Sequence, residues 1–148
     1  MTTVEDILKG KASEIWSVGP TDTVLDALRL MEDKEIGAVL VMDEAGKPFG
    51  IFSERDYARK VALKGKTSKE TAVQEIMTPV ADMHGVRPES TVEEAMMIIS
   101  RKKVRHLPVC SGNNIVGFIS IGDVLKSIIN DRETQIEHLN NYISGKYV

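Results

Sequence analysis

The chain of 148 residues is short of several things, and each shortage removes a class of explanation. Its single cysteine, Cys110, excludes an intrachain disulfide and a cysteine-built metal cluster. The three histidines, at 84, 106 and 138, show no metal-ligand spacing. Neither G-x-G-x-x-G nor G-x-x-x-x-G-K-[ST] occurs, so the common dinucleotide and P-loop fingerprints are missing. Apolar runs such as "IGAVLVM" (36–42) are far too short to cross a bilayer. The opening "MTTVEDILKGK" lacks a basic stretch followed by an apolar core, so no secretory signal is expected and a cytoplasmic location is. A net charge of −3 gives no general pull toward nucleic acid or an anionic membrane, and neither partner is expected.

What is present is repetition. Shifted by 68 residues, "VGPTDTVLDALRLMEDKEIGAVLV" (18–41) falls on "VRPESTVEEAMMIISRKKVRHLPV" (86–109). After the loss of one residue, "GIFSERD" (50–56) falls on "GFISIGD" (117–123). Two copies make a pseudo-symmetric pair, whereas a solenoid needs at least three. In each copy a short extended piece leads to a proline, then a threonine with an acid three residues on opens a helix: Thr23 with Asp26, Thr91 with Glu94. Leu25, Leu28 and Met31, and in the second copy Val92, Met96 and Ile99, supply a helical apolar face. An apolar strand, a polar turn, a returning strand and a second helix follow. The order β-α-β-β-α, written twice, is an α/β (α+β) architecture. The expected limits are 5–65 and 66–130 for the two repeats and 131–148 for a helical extension. Running into that extension, Ile129, Ile136 and Ile143 stand seven apart with Leu139 between and Arg132 interrupting, a stripe suited either to packing on its own domain or to a dimer contact.

The shared G-h-h-S-x-x-D (h, apolar) carries the chemistry. Ser53 and Ser120 are expected to end strands, with Asp56 and Asp123 in the first turn of the next helix. A helix N-terminus favours an anion. A serine there can add a hydroxyl donor, and a carboxylate one turn in can accept from a vicinal diol, as in dinucleotide folds. Phosphate beside ribose means a nucleotide. The competing reading is helix capping, which uses the same two residue types. "KKVRHLPV" (102–109) is the second constellation. Arg105 offers a fork of donors for phosphate, or only a cation at a helix end, while the first copy has Gly37-Ala38 in that place. Trp16 could stack on a base or simply pack at a seam. An enzyme reading finds no activated nucleophile and no metal site.

On "GIFSERD", "GFISIGD", "VRHLPV", "EIMTP" and the repeat, residues of about 5–130 resemble a tandem pair of cystathionine-β-synthase-type (CBS) domains, a Bateman module. The C-terminal "IEHLNNYISGKY" resembles a stand-alone subgroup without an enzyme domain. The resemblance implies two domains packed through their sheets, with two clefts that take adenosine derivatives: AMP, ADP, ATP, S-adenosylmethionine or NAD(H), with no metal required. It groups Ser53, Arg55, Asp56, Thr78, His84, Val104, Arg105 and His106 in one cleft. The other cleft takes Ser120, Gly122, Asp123, Lys11, Trp16, Ile36, Gly37 and Ala38. The cleft with Arg105 and His106 suits a phosphorylated ligand better. The implied function is nucleotide sensing by a homodimer that signals to an effector protein; the alternative is a ligand-independent dimeric scaffold.

Overall fold

The computed structural model describes residues 1–11 and 14–143, and of Tyr142 the backbone alone. The last five positions of the expected extension lie outside the described residues. The elements are α1 (Val4–Lys9), β1 (Ser17–Val18), α2 (Val24–Lys34), β2 (Ala38–Met42), β3 (Pro48–Ser53), α3 (Glu54–Asp56), α4 (Val73–Ile76), β4 (Thr78–Pro79), α5 (Val92–Lys102), β5 (His106–Ser111), β6 (Asn114–Ser120) and α6 (Ile121–Ile143). A π-helical turn (Tyr57–Ala62) follows α3, and a 3₁₀ turn (Val80–Asp82) follows β4.

The two main helices start as their sequences dictate. Thr23 and Thr91 are N-caps of α2 and α5, each closing a capping box with Asp26 or Glu94. Both helices also end alike, on a non-glycine residue in the left-handed conformation: Glu35 at φ 55° and Lys103 at φ 54°. That conformation costs a side-chain-bearing residue about 1 kcal/mol, and its recurrence shows how closely the two copies follow one template.

The expected domain limits run along the chain; the compact units do not. One unit holds residues 14–85 and 112–115, the other residues 1–11, 86–111 and 116–143. The reason is burial. Val4 of α1 is fully buried among Val86, Val92, Leu107, Val109 and Ile119, so the N-terminal helix completes the core of the second repeat. α4 does the same for the first: Val73 and Ile76 join Val24, Ala27, Met31, Val39, Val41 and Phe52. The bridges Thr3↔Thr91 and Thr23↔Ala72 mark equivalent contacts. Each repeat thus closes its core with the segment that precedes the other repeat.

In the first unit the sheet order is β1-β2-β3-β4, with β1 parallel to β2 and the remaining pairs antiparallel. In the second unit β5 pairs with β6, and the parallel bridge Val86↔Val109 repeats the register of Val18↔Val41.

Candidate functional site: two serine-aspartate corners

In the first unit, β3 delivers Ser53 to the start of α3. Antiparallel pairing sets Ser53 opposite Ala38, and the Glu54 N–H donates to the Gly37 carbonyl at 3.1 Å. The helix-to-strand junction Gly37-Ala38 is therefore tied to the motif of its own repeat. Ser53 caps α3: its Oγ accepts the Asp56 N–H, and its own N–H and Oγ donate to Asp56 Oδ2 at 3.0 and 3.1 Å. Capping, the plainer of the two readings, is thus real. It does not account for the other carboxylate oxygen. Asp56 Oδ1 receives Lys60 Nζ at 2.9 Å and Thr78 Oγ1 at 3.3 Å, and the residue is only 7% exposed. A buried carboxylate needs such partners.

The motif glycine explains how Thr78 gets there. A Cβ on Gly50 would lie 2.3 Å from the Thr78 carbonyl oxygen. Only a residue without a side chain lets β4 run so close to β3.

The second unit builds the same corner from different parts. The Ile121 N–H donates to the Arg105 carbonyl at 2.8 Å, matching the Glu54–Gly37 bond. Ser120 Oγ accepts the Asp123 N–H, and Ser120 N–H donates to Asp123 Oδ2 at 2.9 Å. Here the cation comes from the far end of the sequence: Lys11 Nζ donates to Asp123 Oδ2 at 2.8 Å and to the Phe118 carbonyl at 2.9 Å. Gly117 faces Leu8, whose Cδ2 would sit 2.6 Å from an added Cβ, so this glycine makes room for the segment that carries Lys11. Burial opposes ionisation of Asp123, but the Lys11 ammonium and the Ser120 N–H outweigh it and hold the carboxyl below its usual value.

His106 belongs to this second corner. Its ring stacks on Phe118 with centroids 5.7 Å apart and planes 13° from parallel. Burial pushes its pKa down, the Arg105 and Lys11 charges push the same way, and Asp123 pulls against them. Lys11, Arg105 and Asp123 are thus the charges that act on the His106 imidazole.

The junction of the first unit has the opposite electrostatics. An open groove of about 400 Å³ is lined by Leu28, Met31, Ile36 and Gly37 and rimmed by Glu32, Glu35 and Glu54. It offers apolar surface and three carboxylates, a setting that repels phosphate.

Of the residues grouped from the sequence, the first unit brings together Ser53, Asp56 and Thr78, and the second brings together Ser120, Asp123 and Lys11. Val104, Arg105 and His106, grouped with Asp56, lie in the unit of Asp123. Trp16, Ile36, Gly37 and Ala38, grouped with Asp123, lie in the unit of Asp56. Arg55 is exposed on α3, Gly122 is exposed, and His84 is half-buried after the 3₁₀ turn. The Trp16 ring carries the Lys34 ammonium 4.3 Å from its centroid. Three participants went unremarked in the sequence. Lys60 was legible as the i+4 partner of Asp56. Phe118, the first apolar position of "GFISIGD", had an aromatic as its only signal. Glu54 is an unremarkable acid until the groove is seen.

Nothing in either corner resembles an activated nucleophile. The Cys110 thiol is pushed up by burial, away from the reactive thiolate. Among the described residues no group of three His, Cys, Asp or Glu side chains could hold a metal ion, and no helix is long and apolar enough to cross a membrane.

Comparison with known proteins agrees with this duplicated architecture. The CBS-domain family profile matches residues 4–63 and again 73–130. A CBS domain-containing mitochondrial protein of Arabidopsis thaliana, CBSX3, is 36% identical over 99% of this chain and 74% of its own length. A solved structure of a protein with CBS domains from Burkholderia ambifaria is 47% identical with a TM-score of 0.82, covering 88% of this chain and 96% of that one. The CBS-domain protein ATU1752 of Agrobacterium tumefaciens is 36% identical with a TM-score of 0.79, covering 85% and 98%. The chain belongs to the CBS-domain family and carries two copies of the domain.

Proposed function

We propose that the protein is a regulatory module that binds an adenosine derivative of the AMP, ADP, ATP or NAD(H) class and passes the binding state to an effector protein. One observation carries this reading. Each repeat holds a carboxylate at a strand-to-helix corner with more partners than a cap requires: Lys60 and Thr78 for Asp56, Lys11 for Asp123. A carboxylate beside a helix N-terminus accepts from ribose hydroxyls, and a neighbouring cation meets phosphate. Binding and orientation are within reach of these side chains, and no catalytic step is assigned to them. Regulation then requires that the ligand bind two conformations with different affinity.

Calorimetric titration with AMP, ADP, ATP, NADH and S-adenosylmethionine tests the reading, with Asp56→Asn and Asp123→Asn as controls. Binding by at least one ligand, weakened in at least one variant, is expected. No binding by any of the five, or equal binding by both variants, contradicts it.

A second reading, a ligand-independent dimeric scaffold, is favoured by one feature: the apolar stripe of α6 stays exposed. Under it, neither variant changes any property except stability.

A further inference from the structure

The two corners obtain their lysines by different routes. Lys60 Nζ bridges Asp56 Oδ1 and the Ile76 carbonyl, 2.9 and 3.2 Å away, from one turn further along the same segment. The second repeat has Ser127 at the equivalent place. Its bridge is made by Lys11, which lies 112 residues from Asp123 in sequence and reaches Asp123 Oδ2 and the Phe118 carbonyl at 2.8 and 2.9 Å. Lys11 also stands at the end of the N-terminal segment, and by residue 14 the chain has entered the first unit.

The bridge takes up part of the carboxylate that a ligand would need. A carboxylate oxygen has about two lone-pair sites. On Asp123 Oδ2 the Ser120 N–H fills one at 2.9 Å, and the Lys11 ammonium fills the other. A vicinal diol gripped by both oxygens therefore has to displace one of these donors. The Ser120 N–H is fixed in the backbone of the corner. The ammonium is not: the Lys11 and Asp123 side chains are 34 and 25% exposed, and a pair so open to water is weakly held.

We propose that Lys11 is a displaceable occupant of the second corner: ribose hydroxyls take its place on Asp123, and the released ammonium pairs with a phosphate carried by the same ligand. Under the proposed function, on which this rests, the contact becomes a selection rule. An uncharged nucleoside breaks the Lys11–Asp123 pair and gives nothing back, whereas a nucleotide replaces it. The flexible four-carbon stem lets the ammonium follow the new partner. Lys11 is thus a specificity-determining residue, and the phosphorylation state of the ligand is felt where the chain leaves for the other unit.

Calorimetric titration of adenosine and AMP into the full chain tests this, with an Asp56→Asn parent that removes the first corner's carboxylate. The parent is expected to prefer AMP. Lys11→Met should bind adenosine up to about fivefold more tightly than the parent, because the competitor is gone. It should also lose most of the AMP preference, which Lys11→Arg should keep. A purely structural role for Lys11 would weaken both compounds alike. Hydrogen exchange adds a second readout at Gly10 and Lys11, whose amides donate to the Ile7 and Leu8 carbonyls at 3.1 and 3.4 Å. Adenosine should raise their exchange in the parent more than AMP does, with the Val4 and Glu5 amides, held at 2.8 Å by the Ser90 and Pro88 carbonyls, unaffected. No AMP preference in the parent, a preference unchanged in Lys11→Met, or weaker adenosine binding there overturns this proposal alone. So does binding by wild type that vanishes in the parent. No binding of either compound to wild type overturns the proposed function as well.

Discussion

The two repeats share a backbone and differ in charge. At the first, the groove beside Gly37 is rimmed by Glu32, Glu35 and Glu54, and the motif aspartate takes its cation from Lys60 on the next turn. At the second, Arg105 and His106 replace Gly37-Ala38, and Lys11 reaches in from the N-terminal segment. Duplication kept the scaffold, down to the left-handed residues Glu35 and Lys103, and left the two corners free to diverge. The two corners therefore differ in charge, and under the proposed function a ligand with phosphates should tell them apart.

The largest effect that sharpens this contrast is steric. Gly50→Ala drives a Cβ into the rigid Thr78 carbonyl, while Gly117→Ala meets only the flexible end of Leu8. Overpacking costs about 1–3 kcal/mol. Gly50→Ala should lie at or above the top of that range and Gly117→Ala near the bottom, compared by urea denaturation. Equal losses would mean that the two glycines do the same job.

Next comes the aspartate pair. Asp56 is nearly buried with both oxygens engaged, and Asp123 is about a quarter exposed. Replacing Asp56 by alanine removes a capping partner and leaves the part-buried Thr78 hydroxyl without its acceptor, a loss of about 2 kcal/mol. Asp123→Ala should cost less, because water can reach the groups it leaves. A reversed order in melting temperature would contradict the burial difference.

The smallest effect is in pH. His106 has its pKa lowered in the folded state, from an ordinary 6.5, first by burial and then by Arg105. The unfolded chain then binds the proton more readily, so stability falls as pH drops through about 6.5 and levels off below the folded value. The first repeat has Ala38 in the same place, with no titratable side chain at that position. His106→Gln should flatten the slope of melting temperature between about pH 7.5 and 5.5. Asp123, whose pKa is also lowered, acts only at more acid pH, where stability is lost as its carboxylate protonates. An unchanged slope in His106→Gln would place the titrating group elsewhere.

Much of this was legible in the sequence because it rests on local rules. Thr23 with Asp26 and Thr91 with Glu94 announce helix starts through capping, and they start helices. Ser53-x-x-Asp56 and Ser120-x-x-Asp123 announce a strand-to-helix corner, and they form one. The exchange of α1 and α4 between repeats was not legible, because Val4 and Val73 look alike whichever core they fill. The placement of Lys11 at Asp123 follows from that exchange, so spacing along the chain could not give it. The acidic groove needed Glu54 and Glu35 to meet across a hairpin, and no local pattern records such a meeting. The stripe on α6 could be read as a periodicity, but only its exposure separates a free seam from a core face.

The central claim is that the two aspartates are grips for an adenosine ligand and the two corners are unequal. Titration of ATP and AMP into wild type, Asp56→Asn and Asp123→Asn tests it most directly. Measurable binding by wild type is expected, with a loss of at least tenfold in one variant and a smaller or different loss in the other. Binding that both variants leave untouched, or no binding at all, would contradict it and leave the serine-aspartate corners as helix caps.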